Sequence, residues 1–424
     1  MLDIRMIRAE PERVKAELAK VGYPASELDA LLDADRRRRE AIQAVEQLRA
    51  ERTAASKAIR DEKDADARAR AIEAQRTTGE RIAAAEQAAA AAEEEFTRRM
   101  LEVPNLPHPD VPVGPDDSCN TVLRTEGQAP SFDFTPIPHW DLGPRLGIID
   151  FERGVKVSGT RFYVLKGAGA RLQRALIAWM LDLHVREHGY VEVYPPAMVK
   201  GECLVGTGNL PKFADTLYRD VEEDFWWVPT AEVPVTNLYR DEVLDGATLP
   251  VKHVAYTPCF RRERMSAGRD VRGIKRGHQF DKVEMVKFVR PETSMDELTA
   301  LLSDAEDVLK ALELPYRVVQ MCTGDLSFSA MAKQDLELWA PGCNEWLEVS
   351  SCSNFGDFQA RRARIRFKDP GAKEKARFVH TLNGSGLALP RTLIGVIETY
   401  QRADGKIDVP AALRPYLGGA QVLG

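Results

Sequence analysis

The chain has few of the features that tie a protein to an oxidising or membranous setting. Its six cysteines, Cys119, Cys203, Cys259, Cys322, Cys343 and Cys352, are scattered over 424 residues with no CxxC pair. They read as reduced, buried thiols rather than a disulfide framework; a zinc site built from distant cysteines and carboxylates stays open. No apolar run reaches membrane-spanning length, and the opening MLDIRMIRAEPERV has charges throughout and no apolar core segment. Neither a span nor a signal peptide is expected, and the expected location is cytoplasmic. There is no internal repeat, no GxxxxGK followed by Ser or Thr, and no GxGxxG, which removes P-loop and dinucleotide-crevice sites from consideration. Net positive charge is also missing. A formal charge of −6 argues against nonspecific nucleic-acid binding by the whole chain but leaves room for local basic surfaces. What remains is an ordinary soluble composition, 44% hydrophobic and 29% charged, in a chain long enough for two or three domains.

Proline and glycine are nearly missing from one long segment. Between Pro24 and Pro104 there is no proline and a single glycine, Gly79, in a run rich in Ala, Glu, Arg and Gln, all good helix formers. Ile42, Val45, Leu48, Ala55 and Ile59 form one apolar stripe, and Ile82, Ala85, Ala89, Ala92, Phe96 and Met100 another, in steps of three and four. Polar DEKDADAR separates them. The pattern predicts two antiparallel helices of about 35 residues, each roughly 50 Å long, with a turn near 61–66. Such a pair is either a dimerising coiled coil or an arm reaching into solvent, with Arg36 to Arg39 and, nearer the tip, Lys57, Arg60 and Lys63 exposed to a partner. Prolines then cluster at 104, 107, 109, 112 and 115, marking a linker over 104–119. Beyond it, a helix over 171–187 and short strands at 226–228, 253–260, 283–289, 316–321 and 346–350 point to an α+β fold with an antiparallel sheet flanked by helices.

The densest chemistry lies at 258–284, PCFRRERMSAGRDVRGIKRGHQFDKVE. Two strand-like runs joined by a glycine-punctuated arginine loop suit polyphosphate, because the planar guanidinium donates paired hydrogen bonds to phosphate oxygens. A solvated charge run is the plainer reading. Against it, Phe280 and Glu284 sit four apart on the outgoing strand and so share a face, one offering a ring to a base and the other a carboxylate to an amine.

Three segments stand in the order that marks class II aminoacyl-tRNA synthetases. The helix with HGYVEVYPP ending at Pro196 resembles motif 1, CFRRER with HQFDKVE resembles motif 2, and Gly384-Ser-Gly-Leu-Ala-Leu-Pro-Arg391 followed by TLIGVIETYQ resembles motif 3. With GTGNLPKF (206–213), PTAEVPVTNLY (229–239) and EVSSCSNFGDFQARR (348–362), the whole chain resembles the bacterial type of the seryl-tRNA synthetase family. That resemblance implies a class II antiparallel sheet with an N-terminal two-helix coiled-coil arm. The implied boundaries are a tRNA-binding domain at 1–103 (arm about 27–100), a linker at 104–119 and a catalytic domain at 120–424.

The resemblance also implies roles. Arg261 and Arg391 are the catalytic arginines of motifs 2 and 3. ATP is expected to meet Arg261, Arg262, Glu263, Arg276, Phe280, Glu348, Val349, Ser350, Ser351 and Arg391, with adenine between Phe280 and Arg391. Glu263 is expected on the same side of the strand as Arg261. Serine is expected to meet Thr230, Ala231, Glu232, Arg261, Glu284 and Ser385. Glu348 and Ser351 are expected to hold Mg2+, a hard ion that takes oxygen ligands. Arg36, Lys57, Arg60, Arg264 and Arg269 are expected to touch RNA. The implied partners are L-serine, the serine tRNA, the selenocysteine tRNA where a cell has one, and a second copy of the chain in a homodimer. The departures are Pro390 before the motif 3 arginine, Arg264-Met265 after the motif 2 glutamate, and the bulky Trp226-Trp227 pair. They leave room for a specialised or inhibitor-resistant paralogue. A ligase that loads an amino acid onto a carrier protein is the alternative activity, and it would not need the arm.

Overall fold

The structure, a computed structural model, describes residues 1–264 and 272–424; Met265 and Arg269 of the arginine loop lie outside them. The chain divides into two units, Leu2–Pro104 and Asn105–Gly424 (with Met1).

The N-terminal unit begins with two short helices, α1 (Ile4–Ala9) and α2 (Pro11–Ala19). The Asp3 carboxylate accepts from the Arg5 N–H at 2.8 Å, a first-turn cap, and Pro11 starts α2 where a missing N–H costs nothing. Then come α3 (Ala25–Asp61) and α4 (Ala65–Glu102). The turn between them is shorter than expected, because Asp64 accepts from the N–H groups of Asp66 and Ala67 at 2.9 Å and restarts the helix at once. Near the base the seam is well filled: Leu28, Leu31, Val45, Ile82, Phe96 and Met100 are buried. Farther out it thins. Ala55 is exposed, and Ile42, nearer the base than Val45, is 39% exposed, so the expected apolar stripe is only partly a contact. Charge takes over part of the pairing, with Arg49 on Glu86 at 2.6 Å and Arg38 both on Glu93 and over the Phe96 ring.

The larger unit is built on an eight-stranded sheet of β1 (Thr121–Glu126), β2 (Val191–Glu192), β3 (Val251–Phe260), β4 (Gln279–Val289), β5 (Tyr316–Gln320), β6 (Ala332–Ala340), β7 (Glu345–Asn354) and β8 (His380–Ala388). The spatial order is β1-β5-β6-β7-β8-β4-β3-β2, antiparallel throughout except for the β2–β3 pair. Residues 105–119 are hydrogen-bonded onto this unit, the Asn105 amide donating to the Ser329 and Phe355 carbonyls. Among the helices of this unit are α5 (His139–Arg145), α6 (Ala168–Arg186), α7 (Ser294–Ala311) and α8 (Leu389–Thr399). Leu172, Leu176 and Met180 of α6, Leu301 and Leu309 of α7, and Leu393 and Ile397 of α8 form one core with Val283, Met285, Leu336 and Leu382 of the strands. Each such side chain contributes about 1.5–3 kcal/mol by leaving water. This core packs one face of the sheet, and a cavity lies on the other.

Candidate active site

The cavity has a volume of about 470 Å³ and is lined by side chains from β4, β7, β8, the first turn of α8 and the loops at 207–213 and 229–232. An outer lobe of about 420 Å³ continues it toward Thr216, Leu217 and Arg264.

Strand alternation explains much of the lining. On β4, Phe280 and Lys282 face the cavity, and Glu284, next on that face, lies fully buried under its floor. Glu284 Oε1 accepts from the Asn383 amide at 2.7 Å, and Oε2 receives Ser385 Oγ at 3.4 Å and Lys282 Nζ at 2.5 Å. A carboxylate has about four lone-pair positions, so one acceptor position remains. Glu232, the first residue of a short helix at Glu232–Thr236, sits beside it. Its Oε1 accepts from the Gln359 amide at 2.6 Å and its Oε2 from Asn383 at 3.1 Å. Asn383 therefore bridges the two carboxylates with one NH2 group. Burial, then the charge of Glu284, pushes the Glu232 carboxyl up to about 7. Thr230 lines the same end and its hydroxyl accepts from the Glu232 N–H at 3.2 Å.

The other end is cationic. Arg261 donates from Nε to the Pro229 carbonyl at 3.2 Å, and its guanidinium lies 5.0 Å from the centre of the Phe280 ring. Arg276 reaches within 3.7 Å of Glu263. Arg391 donates to the Glu348 carbonyl at 2.6 Å and to the Lys275 carbonyl at 3.4 Å. Pro390 falls in the first turn of α8 and leaves Arg391 on the cavity wall. Burial opposes charge on Glu348, but Arg391, Lys333, Arg261 and Arg276 outweigh it and hold its carboxyl below the ordinary value.

Four expectations need correction. Neither Arg261 nor Glu263 is on the strand, because β3 ends at Phe260. A left-handed backbone at Glu263 itself (φ +50°), a strained choice for a residue with a Cβ, accompanies its place on the cavity wall. Ser350 and Ala231 are buried to 1% and 0% and are not among the lining side chains. The Ser350 hydroxyl instead donates to the Ser385 carbonyl at 2.6 Å. Arg262 likewise turns from the cavity, its guanidinium 5.1 Å from the Tyr218 ring centre. Glu348 and Ser351 are three apart, a spacing that plain alternation would put on opposite faces. The β6–β7 register skips Val349, and this bulge lets both line the cavity.

Sequence reasoning missed Lys282, Asn383, Gln359 and Asp335. Asp335, opposite Ser351 in the sheet, is pushed up to about 7, chiefly by burial. Lys282 and Asn383 fall two residues from Glu284 and Ser385 on their strands, so alternation could have found them; Gln359 comes from a separate helix, and no local pattern marks it. On the N-terminal unit, Lys57 and Arg60 are exposed, while Arg36 is paired with Asp33 and Glu40.

An antiparallel sheet with an arginine just past the end of β3, another in the first turn of α8 and a facing carboxylate on β7 is the core of a class II aminoacyl-tRNA synthetase. Residues 214–400 match the tRNA synthetase class II core domain (G, H, P, S and T), and residues 1–107 match the seryl-tRNA synthetase N-terminal domain. The chain belongs to the seryl-tRNA synthetase family. It is 62% identical over its whole length to a serine–tRNA ligase of Thermomicrobium roseum, covering 95% of that protein, and 60% identical to one from a Roseiflexus strain, covering 99%. It is similar to the crystal structure of seryl-tRNA synthetase from Pyrococcus horikoshii complexed with ATP, with a TM-score of 0.91, 36% identity, and coverage of 100% of this chain and 99% of that one. Among the described residues, no helix is long and apolar enough to cross a membrane.

Proposed function

We infer that this cavity activates L-serine with ATP, and that the enzyme then transfers the seryl group to tRNA, as a serine–tRNA ligase. In the first step a serine carboxylate oxygen attacks the α-phosphorus, the bond to the bridging oxygen breaks, and pyrophosphate leaves. In the second, a hydroxyl of the terminal ribose attacks the seryl carbonyl and AMP leaves. The first step joins two anions, so most of the catalysis is positioning and cationic stabilisation.

The observation that carries the reading is the pair of carboxylates bridged by Asn383 at one end of a cavity whose other end is arginine-rich. Glu232 takes the α-ammonium and Glu284, with Ser385, the side-chain hydroxyl. A site that hydrogen-bonds a substrate hydroxyl rejects the analogue lacking it by about 10⁴–10⁵, so alanine is excluded. Adenine stacks between Phe280 and Arg391, which requires Arg261 to leave the Phe280 ring for the α-phosphate. Arg276 holds the far end of the triphosphate. Glu348 and Ser351 offer the hard oxygen donors that Mg2+ prefers; when bound, the ion would neutralise phosphate charge.

The arm, through Lys57, Arg60 and Arg36, contacts serine tRNA, and selenocysteine tRNA where a cell has one. Arg264, exposed beside the outer lobe, reaches the acceptor end; Arg269, expected to join it, lies outside the described residues. Two copies form a homodimer. Exposed apolar side chains on the two edge strands support this, with Val122 and Leu123 at 46% and 49%, Val191 at 60%, and Tyr194 just after β2 at 90%. Pyrophosphate exchange with a panel of amino acids, followed by charging of serine tRNA, tests the reading. Serine alone should support exchange; equal exchange with alanine or threonine would overturn it.

A further inference from the structure

A buried histidine and glutamate outside the cavity connect the return of the arginine loop to helix α8. His139 begins α5 and Glu398 lies near the end of α8, and both are fully buried. Four donors converge on the Glu398 carboxylate. Oε1 receives the His139 N–H at 2.9 Å, His139 Nδ1 at 2.7 Å and the Cys343 thiol at 3.0 Å; Oε2 receives the Cys343 N–H at 2.9 Å. Oε1 is crowded with donors, while Oε2, with one donor, keeps an acceptor position.

The other ring nitrogen, Nε2, accepts from the Ile274 N–H at 3.2 Å. The tautomer follows: Nε2 accepts, so Nδ1 carries the proton and gives it to Glu398. His139, Cys343 and Glu398 have ligand atoms within 4.8 Å of one another, the kind of group that binds zinc. A metal on Nδ1 would force the proton onto Nε2, where it would meet the Ile274 N–H, so the hydrogen-bond pattern favours a structural link over a metal centre.

The link points at the active site. Ile274 is buried and lies two residues before Arg276. Gly273, with φ +72°, passes so close to the imidazole that a Cβ would sit 1.9 Å from Nε2. Arg391, in the first turn of the helix that carries Glu398, donates to the carbonyl of Lys275. The return of the loop is thus attached to α8 at two points, and Lys275 also pairs with Glu345 on β7.

We propose that His139, backed by Glu398, is a positioning residue for ATP: it fixes the 273–276 segment so that Arg276 and Arg391 stand at the spacing the nucleotide needs. The proposal rests on the reading of Arg276 as a triphosphate contact. It is tested on the full-length enzyme by serine-dependent pyrophosphate exchange. Loss of the Ile274 bond in His139→Ala strands a buried N–H and should raise the KM for ATP about tenfold, with the KM for serine within about twofold. His139→Gln can place an acceptor near the Nε2 position, whereas His139→Asn can replace only the Nδ1 contact. Gln should therefore recover ATP affinity and Asn should not, even with equal melting temperatures. An unchanged KM for ATP in the alanine variant, or equal recovery by Asn and Gln, would overturn the proposal. Should the alanine variant fail to fold, the Gln–Asn comparison decides. Arg276→Ala separates the two readings. A raised KM for ATP there with none in His139→Ala sinks only the positioning role; no change in Arg276→Ala sinks the triphosphate assignment beneath it.

Discussion

Acidifying the assay from pH 8 to pH 6 should weaken serine binding about tenfold, through one side chain. Glu232 holds an ammonium only when ionised, and burial beside Glu284 places its carboxyl at about 7. Without serine the group is therefore mostly charged at pH 8 and mostly protonated at pH 6. Binding at pH 6 must first remove that proton, so affinity is full above the pKa and is lost as the pH falls through it. One unit of displacement corresponds to about 1.36 kcal/mol, or a factor of ten. Serine itself keeps its ammonium over this range, so the enzyme group controls the slope. The assay is the KM for serine in pyrophosphate exchange at saturating ATP, with the KM for ATP followed across the same window. Serine should also raise the melting temperature more at pH 8 than at pH 6. Glu232→Gln should abolish the slope while weakening serine by about 10² or more, the cost of leaving a buried charge unpaired. A KM for serine that is flat, or that rises with pH, would refute the assignment of Glu232 to the ammonium.

Other perturbations separate the parts of the site. Arg391→Ala should abolish serine-dependent exchange; near-normal exchange would remove Arg391 from the ATP site. Asn383→Asp deletes the bridge between Glu232 and Glu284 and adds a third carboxylate, so the KM for serine should rise about 10²-fold with little change for ATP, and parallel changes in both would argue for general unfolding. Replacing residues 30–98 with a short turn should spare exchange but remove tRNA charging; surviving charging would show that the arm is not the tRNA contact.

Much of this was legible because it depends on local periodicity. The helix pair follows from apolar steps of three and four in a segment without proline, and the shared β4 face of Phe280 and Glu284 from strand alternation. Reading failed where the backbone departs from regularity. The bulge at Val349 reassigns which residues after Glu348 face the ligand, so Ser350 was misplaced. The left-handed turn at Glu263 does the work that strand alternation was expected to do. Strand β8 was missed as a strand because Asn383, Gly384, Ser385 and Gly386 have poor strand propensity; its central position in the sheet overrides that preference. Gln359 and the His139–Glu398 pair join residues more than 100 positions apart, and no pattern in one sequence marks such contacts. The tip of the arginine loop, with Met265 and Arg269, lies outside the described residues, and its part in tRNA binding stays a proposal.

The central claim is that Glu232, Glu284 and the motif arginines divide serine and ATP between the two ends of one cavity. A crystal structure with a non-hydrolysable seryl-adenylate analogue tests it most directly. The ammonium should lie on Glu232, the hydroxyl on Glu284 and Ser385, the phosphate mimic on Arg261, and adenine between Phe280 and Arg391. An analogue seated in the outer lobe, or one with its amino-acid end away from the two carboxylates, would contradict it.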